Sequence, residues 1–190
     1  MRSARSSRPS TSAGRSDLTD DAGPDAEHDG LDRLWTPHRL AYVQKAEKGA
    51  CVFCAIPAMT DEDGLVIARG GAAYVVLNLY PYNPGHLMVV PYRHVALYED
   101  LEPAETIEVA QLLQRALRVV RHASTPDGFN IGINQGRVAG AGIAEHLHSH
   151  AVPRWAGDAN FMPIVGRTKV LPQTLPETRA LLADAWHAVA

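Results

Sequence analysis

The stretch that decides the fold reads His-Leu-His-Ser-His-Ala-Val at residues 146–152, where three histidines alternate with other residues. Successive side chains of a β-strand point to opposite faces, so His146, His148 and His150 are predicted to line one face of a strand. The outer two would lie roughly 13 Å apart, too far for all three to bind one metal ion. Such a row suits an elongated anionic substrate, because one imidazole can attack while its neighbours hold or protonate phosphate oxygens.

A glycine-bearing loop leads into this strand. Residues 129–136 read Phe-Asn-Ile-Gly-Ile-Asn-Gln-Gly, and Gly-Ala-Gly follows at 140–142. Glycines let backbone N–H groups approach an anion closely, and the side chains of Asn134 and Gln135 can add donors. Alone, the loop fits an ordinary hairpin equally well. Next to the histidines, it predicts an anion site formed by Asn134, Gln135 and the backbone of Gly142.

The remaining pattern predicts an α+β domain with a mainly antiparallel five-stranded sheet, one long helix and a C-terminal helix. Alternating or continuous apolar runs predict strands over residues 65–68, 73–79, 86–91, 129–134 and 146–153. Apolar positions at helical spacing predict the long helix over 103–123 and a terminal helix from about Pro176. Thr36-Pro37 predicts the start of a short helix.

Composition and charge narrow the possible classes of protein. Residues 1–30 are rich in Ser, Arg and Asp and poor in apolar side chains, so they are predicted to be a disordered arm, either a solvated tail or a partner-binding segment. Residues 31–190 are predicted to form the domain. The net charge of −3 argues against nucleic-acid binding. Because a membrane span needs about 20 apolar residues and a secretory signal needs an apolar core, and neither is present, a cytoplasmic protein is expected.

Three blocks of this sequence together resemble the histidine-triad (HIT) superfamily of nucleotide hydrolases and transferases. They are the histidine stretch at 146–152, the Pro-Gly-His strand block within 78–94, and the Cys-x-Phe-Cys start at 51–54. The resemblance spans roughly residues 50–155. Downstream, Val-Pro-Arg-Trp at 152–155 and Gly-Asp-Ala-Asn-Phe at 157–161 are similar to the diadenosine tetraphosphate phosphorylases of actinobacteria.

The resemblance implies roles for individual residues. His148 matches the nucleophile that accepts the nucleotidyl group, with one ring nitrogen held by a hydrogen bond, expected to be to a backbone carbonyl. His150 matches the residue beside the leaving group, a candidate proton donor, and His146 matches a supporting or metal-binding residue. Asn78 matches the ribose-binding position, although it also fits a plain strand end. Phe53 fits either a base pocket or the core.

The implied reaction is transfer of a nucleotidyl group from diadenosine tetraphosphate through a nucleotidyl-histidine. Phosphate as the acceptor yields ATP and ADP, and Arg154, four residues past His150, is a candidate for binding it. Water as the acceptor makes the protein a hydrolase, and an amine-linked substrate makes it a nucleoside phosphoramidase. Many members carry Ser or Thr before the histidine strand, where this chain has Ala-Gly-Ile at 141–143. That departure keeps a nucleotide-binding or scaffold protein as the non-enzymatic alternative.

The resemblance also implies expectations about metal and assembly. Catalysis needs no cofactor, and a homo-oligomer is expected. In some bacterial members the positions of Cys51, Cys54, His94 and His146 bind a structural zinc, and a Cys2His2 set suits a closed tetrahedral site. The alternative is that the two cysteines are reduced thiols in the core.

Overall fold

A computed structural model describes residues 51–158 and 171–189. A short helix α1 (Val52–Ala55) and a 3-10 turn (Ile56–Ala58) precede three strands, β1 (Val66–Arg69), β2 (Ala73–Leu77) and β3 (Leu87–Pro91). A second 3-10 turn (Tyr98–Asp100) leads to the long helix α2 (Pro103–Ser124). Strands β4 (Gly128–Ile133) and β5 (Ser149–Arg154) and the terminal helix α3 (Leu175–Ala188) complete the described chain.

The five strands form one antiparallel sheet in the order β1-β2-β3-β5-β4. The chain turns between β2 and β3 at residues 78–86, where Gly85 has a φ of +71° that side chains with a Cβ rarely adopt. Strand β5 then inserts between β3 and β4, so His150 lies inside the sheet rather than at its edge. The predicted α+β class and five-stranded antiparallel sheet are confirmed.

Helices α2 and α3 cover one face of the sheet. The predicted apolar stripe of α2, from Val109 to Val120, packs against inward-facing residues of the sheet and α3, including Val75, Val89 and Leu182. Pro103 in the first turn and a capping box between Glu102 and Glu105 start α2 where the sequence predicts. The other face carries a smaller apolar cluster with Phe53, Tyr74, Val76, Met88 and Val90. Among the described helices, none has the length and apolar character needed to cross a bilayer.

Element boundaries differ from the prediction mainly at the histidine segment. We expected the strand to begin at His146, whereas β5 begins at Ser149. The ladder to β3 reaches only as far as the pair Val89 and Ser149, and upstream the backbone N–H of Leu147 donates to Val95 instead. The helix predicted after Thr36-Pro37 and the predicted arm at 1–30 lie outside the described residues.

Candidate active site and metal centre

The pairing of β3 with β5 places the histidine segment on the face opposite α2. Met88 of β3 pairs with His150, and the ring of His150 lies 4.8 Å from that of His148. His148 and His146 in turn both contact the ring of Phe53, at 4.9 and 5.5 Å between centroids. The three imidazoles therefore follow one another along the segment, although only His150 belongs to the regular strand.

The orientation of His148 makes one ring nitrogen available for attack. Its Nδ1 lies 2.8 Å from the carbonyl oxygen of His146, so Nδ1–H donates and the lone pair is on Nε2. This is the hydrogen bond to a backbone carbonyl that the sequence predicts. Burial lowers the pKa of His148, while the bond to the carbonyl acts in the opposite direction. The ring is thus held neutral near pH 7 with a nucleophilic nitrogen.

A hydrogen bond from one ring nitrogen orients His146. Its Nε2 lies 2.9 Å from the carbonyl oxygen of Pro91 and donates to it, which leaves the lone pair on Nδ1. Burial is the main cause of the lowered pKa of His146. The ring is therefore neutral and presents Nδ1 toward Cys51, Cys54 and His94.

The ligand atoms of these four residues lie within 4.8 Å of one another. The Nδ1 atoms of His94 and His146 are 3.3 Å apart, and the Sγ of Cys54 lies 3.3 and 3.5 Å from them. The Sγ of Cys51 is 3.3 Å from Nδ1 of His146. Tetrahedral zinc with ordinary bond lengths separates two nitrogens by about 3.3 Å and nitrogen from sulfur by about 3.5 Å. The donor set and its spacing thus fit a closed zinc site.

The thiols support this interpretation. Burial and the neighbouring Cys51 raise the pKa of Cys54, so without a cation nearby it stays protonated. A bound divalent cation deprotonates a coordinating thiol outright and compensates the charge of the thiolate. The Cys/His cluster joins α1, the segment after β3 and the segment before β5, none of which is adjacent in sequence.

Asn78 lies at the end of β2 beside the histidines. Its Oδ1 accepts from the N–H of Tyr80, and its Nδ2 is 3.4 Å from Nδ1 of His86. Phe53 is only 3% exposed and belongs to the apolar cluster as well as to the histidine contacts. Phe53 thus packs against the histidine row itself, whereas Asn78 contacts His86, which in turn contacts His150.

The other predicted substrate residues are placed differently. The side chain of Gln135 accepts from the N–H of Tyr98 and donates to Glu99, so its amide is engaged away from the histidines. The guanidinium of Arg154 makes two bonds to Asp158 and one to Asn130. Asn134 and Gly142 are half-buried in the loop that joins β4 to the histidine segment.

Two groups around the site, Asp158 and His86, were not among the site residues predicted from the sequence. Asp158 accepts from Arg154, Asn83 and the N–H of Trp155, and these bonds, the guanidinium foremost, hold its pKa well below the usual range. His86 contacts His150 directly, 64 positions away in sequence. The contact of His86 with His150 depends on the pairing of β3 with β5, so no local spacing reveals it, whereas Asp158 lies only four residues after Arg154.

An apolar cavity of about 580 Å³ lies on the opposite face of the sheet. Residues of α2 and β4 line it together with Tyr98, Gln135 and Ser149. Ser149 points there because it alternates with His148 and His150. The cavity is thus separated from the histidine row by the sheet itself.

Comparison with known proteins decides the family. A model of the HIT domain matches residues 60–157. The chain is also 53% identical over 169 residues to a protein of Mycobacterium tuberculosis named AP-4-A phosphorylase, covering 84% of this chain and 87% of that protein. The chain belongs to the HIT family. The predicted resemblance is confirmed.

Other HIT relatives share less of the chain. A bis(5'-nucleosyl)-tetraphosphatase (asymmetrical) of Schizosaccharomyces pombe is 36% identical over 87 residues, 46% of each chain. Among solved structures, a zinc-bound histidine triad family protein of Mycobacterium smegmatis superposes with a TM-score of 0.59 at 29% identity. That match covers 73% of this chain and 94% of the other.

Proposed function

We propose that this HIT protein is a nucleotidyltransferase that splits diadenosine tetraphosphate with phosphate, yielding ATP and ADP. The observation that carries the proposal is the orientation of His148, whose Nδ1–H is bound to the carbonyl of His146 and whose Nε2 is therefore nucleophilic. The 53% identity to an AP-4-A phosphorylase over most of both chains supports the choice of substrate.

The first step is attack of His148 on an α-phosphorus. A bond forms between Nε2 and phosphorus, the bridging phosphorus–oxygen bond breaks, and its electron pair leaves with the oxygen of ATP. The proton on Nδ1 stays on the ring, so the adduct is a cationic phosphoramidate that the carbonyl of His146 stabilises. His150, against the His148 ring, assists the departing oxygen.

The second step returns the bond to oxygen. An oxygen of inorganic phosphate attacks the adenylyl phosphorus, and the electron pair of the phosphorus–nitrogen bond returns to Nε2 of His148. ADP leaves. No step uses a metal ion. Phosphate rather than water as acceptor requires that the loop beside the adduct binds a second anion and limits access of water.

Substrate contacts are proposed from placement. Asn78, beside the histidines, binds the ribose, and Phe53 forms the back of the nucleotide site. The backbone of Gly142 and the side chain of Asn134 bind phosphate oxygens. Gln135 and Arg154 join them only after releasing their present partners, Tyr98 and Glu99 for the amide and Asp158 for the guanidinium.

Hydrolysis is the second candidate. The matched tetraphosphatase of Schizosaccharomyces pombe is named for that reaction, and the same adduct on His148 attacked by water gives AMP instead of ADP. The acceptor alone separates the two activities.

We propose that the Cys/His cluster holds a structural zinc. Zinc supplies four bonds that clamp α1 to the segments around His94 and His146. The fit of the spacing and the zinc-bound relative from Mycobacterium smegmatis support this assignment. The free state of both thiols suits the reducing cytoplasm, where we expect the protein to act.

We also propose that the protein self-associates. Strand β4 is an open edge of the sheet, and its Ile131 is 52% exposed. Exposed apolar edge strands are usually covered in native proteins. Light scattering of wild type and Ile131→Lys tests this: equal masses would rule out an interface at this edge.

The function is tested with diadenosine tetraphosphate and labelled orthophosphate. ATP plus labelled ADP, formed only when phosphate is present, is the expected result. ATP plus AMP regardless of phosphate would replace the phosphorylase with a hydrolase. His148→Ala is the matched variant and is expected to abolish both the products and the acid-labile nucleotidyl-protein adduct; full activity in this variant would refute the proposed nucleophile.

A further inference from the structure

His86 is a buried histidine that the reaction as described does not use. It precedes β3, is fully inaccessible to solvent, and lies with Nε2 at 2.9 Å from Nδ1 of His150. Two ring nitrogens at this distance share one proton, so one ring donates and the other accepts. Which ring donates determines the chemistry of His150.

The partners of the second ring nitrogen of His86 identify the donor. Its Nδ1 lies 3.1 Å from the backbone nitrogen of Tyr82, and a backbone N–H can only donate. The Nδ2 of Asn78, also a donor, is 3.4 Å from the same atom. Nδ1 of His86 must therefore carry the lone pair. A neutral imidazole has one N–H, so the proton of His86 is on Nε2 and points at His150.

The tautomer of His86 determines the tautomer of His150. Because its Nδ1 accepts from His86, its own proton must be on Nε2. A second proton on Nδ1, which would make the ring cationic, would face the N–H of His86 across 2.9 Å. Among the residues that the structure describes, His148 and Tyr82 also make ring contacts with His150. His148 donates from Nδ1 to a carbonyl and gives no negative charge that would favour a cation.

We propose that His86 is a positioning residue that holds His150 as an uncharged imidazole donating from Nε2 to the leaving oxygen. This inference rests on the proposed function. It replaces the proton donor expected from the sequence with a hydrogen-bond donor. No proton moves in the step: the oxygen that leaves becomes part of the terminal phosphate of ATP, and a terminal phosphate group loses its second proton near pH 6. It therefore departs as an anion that needs only a hydrogen bond.

The first test reads the protons directly on the unaltered protein. Long-range ¹H–¹⁵N spectra of zinc-loaded wild type distinguish protonated from unprotonated ring nitrogens, and a His150→Gln variant identifies the signals of His150. We expect His150 to carry a proton on Nε2 alone from pH 6 to 9. A proton on Nδ1, or a cationic ring at pH 7, would overturn the proposal.

A matched pair of variants places either a hydrogen-bond donor or an acceptor opposite Nδ1 of His150. His86→Gln keeps an N–H close to the position of Nε2 of His86 and is expected to leave His150 uncharged from pH 6 to 9. His86→Glu presents an acceptor, so Nδ1 of His150 is expected to gain a proton. Once the Glu variant loses the Nε2 proton at high pH, kcat/KM is expected to fall by about a hundredfold relative to pH 6, the typical cost of one lost donor. Parallel pH profiles of the two variants would contradict the proposal.

The spectra do not depend on turnover, which separates the two proposals. His148→Ala is expected to be inactive with the signals of His150 unchanged. If wild type shows the expected protons on His150 but no nucleotide reaction, the proposed function fails and the orientation by His86 stands. If wild type is active while His150 is cationic, the function stands and the role of His86 fails.

Discussion

Removal of zinc from the Cys/His cluster is expected to cost several kilocalories per mole of folding stability. The cluster closes a 40-residue loop between Cys54 and His94 and a 52-residue loop between His94 and His146. The chain-entropy model for a cross-link assigns about 4 kcal/mol to each closure of this length. Because engineered cross-links often deliver less than the model, we expect at least about 4 kcal/mol in total.

The assay is thermal unfolding with and without a zinc chelator. For a domain of this size each kilocalorie per mole lowers Tm by about 2–4 °C, so chelation is expected to lower it by about 10 °C or more. The Cys51→Ser/Cys54→Ser double variant is the control: it should start at the lower Tm and show no further change with chelator. Purified wild type should contain one zinc per chain.

Two results would refute this reasoning. A wild-type Tm that is indifferent to chelator, in protein without bound zinc, would mean that the cluster holds no structural metal. An equal fall in the double variant would mean that the chelator acts elsewhere. Because the larger apolar cluster contains none of the ligands and only Cys51 packs against the smaller one, we expect the zinc-free chain to remain folded at 25 °C.

Three further predictions concern pH and stability. Since burial lowers the pKa of His148, kcat/KM should be constant from pH 8 to 6.5 and decline only below the ordinary histidine value of 6.5; an acid limb centred above that value would contradict the assignment. The lowered pKa of Asp158 stabilises the fold above about pH 4, and that contribution is lost as the pH falls toward the lowered value. The Tm difference between wild type and Asp158→Asn should therefore be largest near pH 7 and shrink below pH 3, and equal differences would be inconsistent with this. Glu108 accepts two backbone N–H groups of the β1–β2 turn, so Glu108→Ala should lose about 2 kcal/mol in urea unfolding and Glu108→Gln less.

Local patterns predicted the elements well. The stripe on α2 was predicted except for Val119, which is fully buried, because helical periodicity is a local consequence of spacing. The strand positions were correct within a few residues for the same reason. The predicted start of β5 was wrong because the start depends on where the hydrogen-bonded pairing with β3 ends. The residues of the histidine segment do not determine that position.

Long-range contacts were predicted only where the family resemblance supplied them. The four Cys and His positions of the cluster matched a known pattern, and the structure brings all four together. Gln135 and Arg154 show the opposite case: their chemistry suits an anion, but the fold gives them Glu99 and Asp158 as partners. A side chain's type therefore predicts what it can bind, whereas its neighbours determine what it does bind.

The sequence by itself determined the family, the antiparallel α+β class and the alternation that sets Ser149 apart from the histidines, because these depend on periodicity and on residue types at fixed spacing. Only the tertiary structure decided which nitrogen of each histidine carries its proton. That choice depends on Pro91, on the carbonyl of His146 and on the N–H of Tyr82. A hydrogen bond is directional and short, so the tautomer of a ring follows from the atoms within about 3 Å of it.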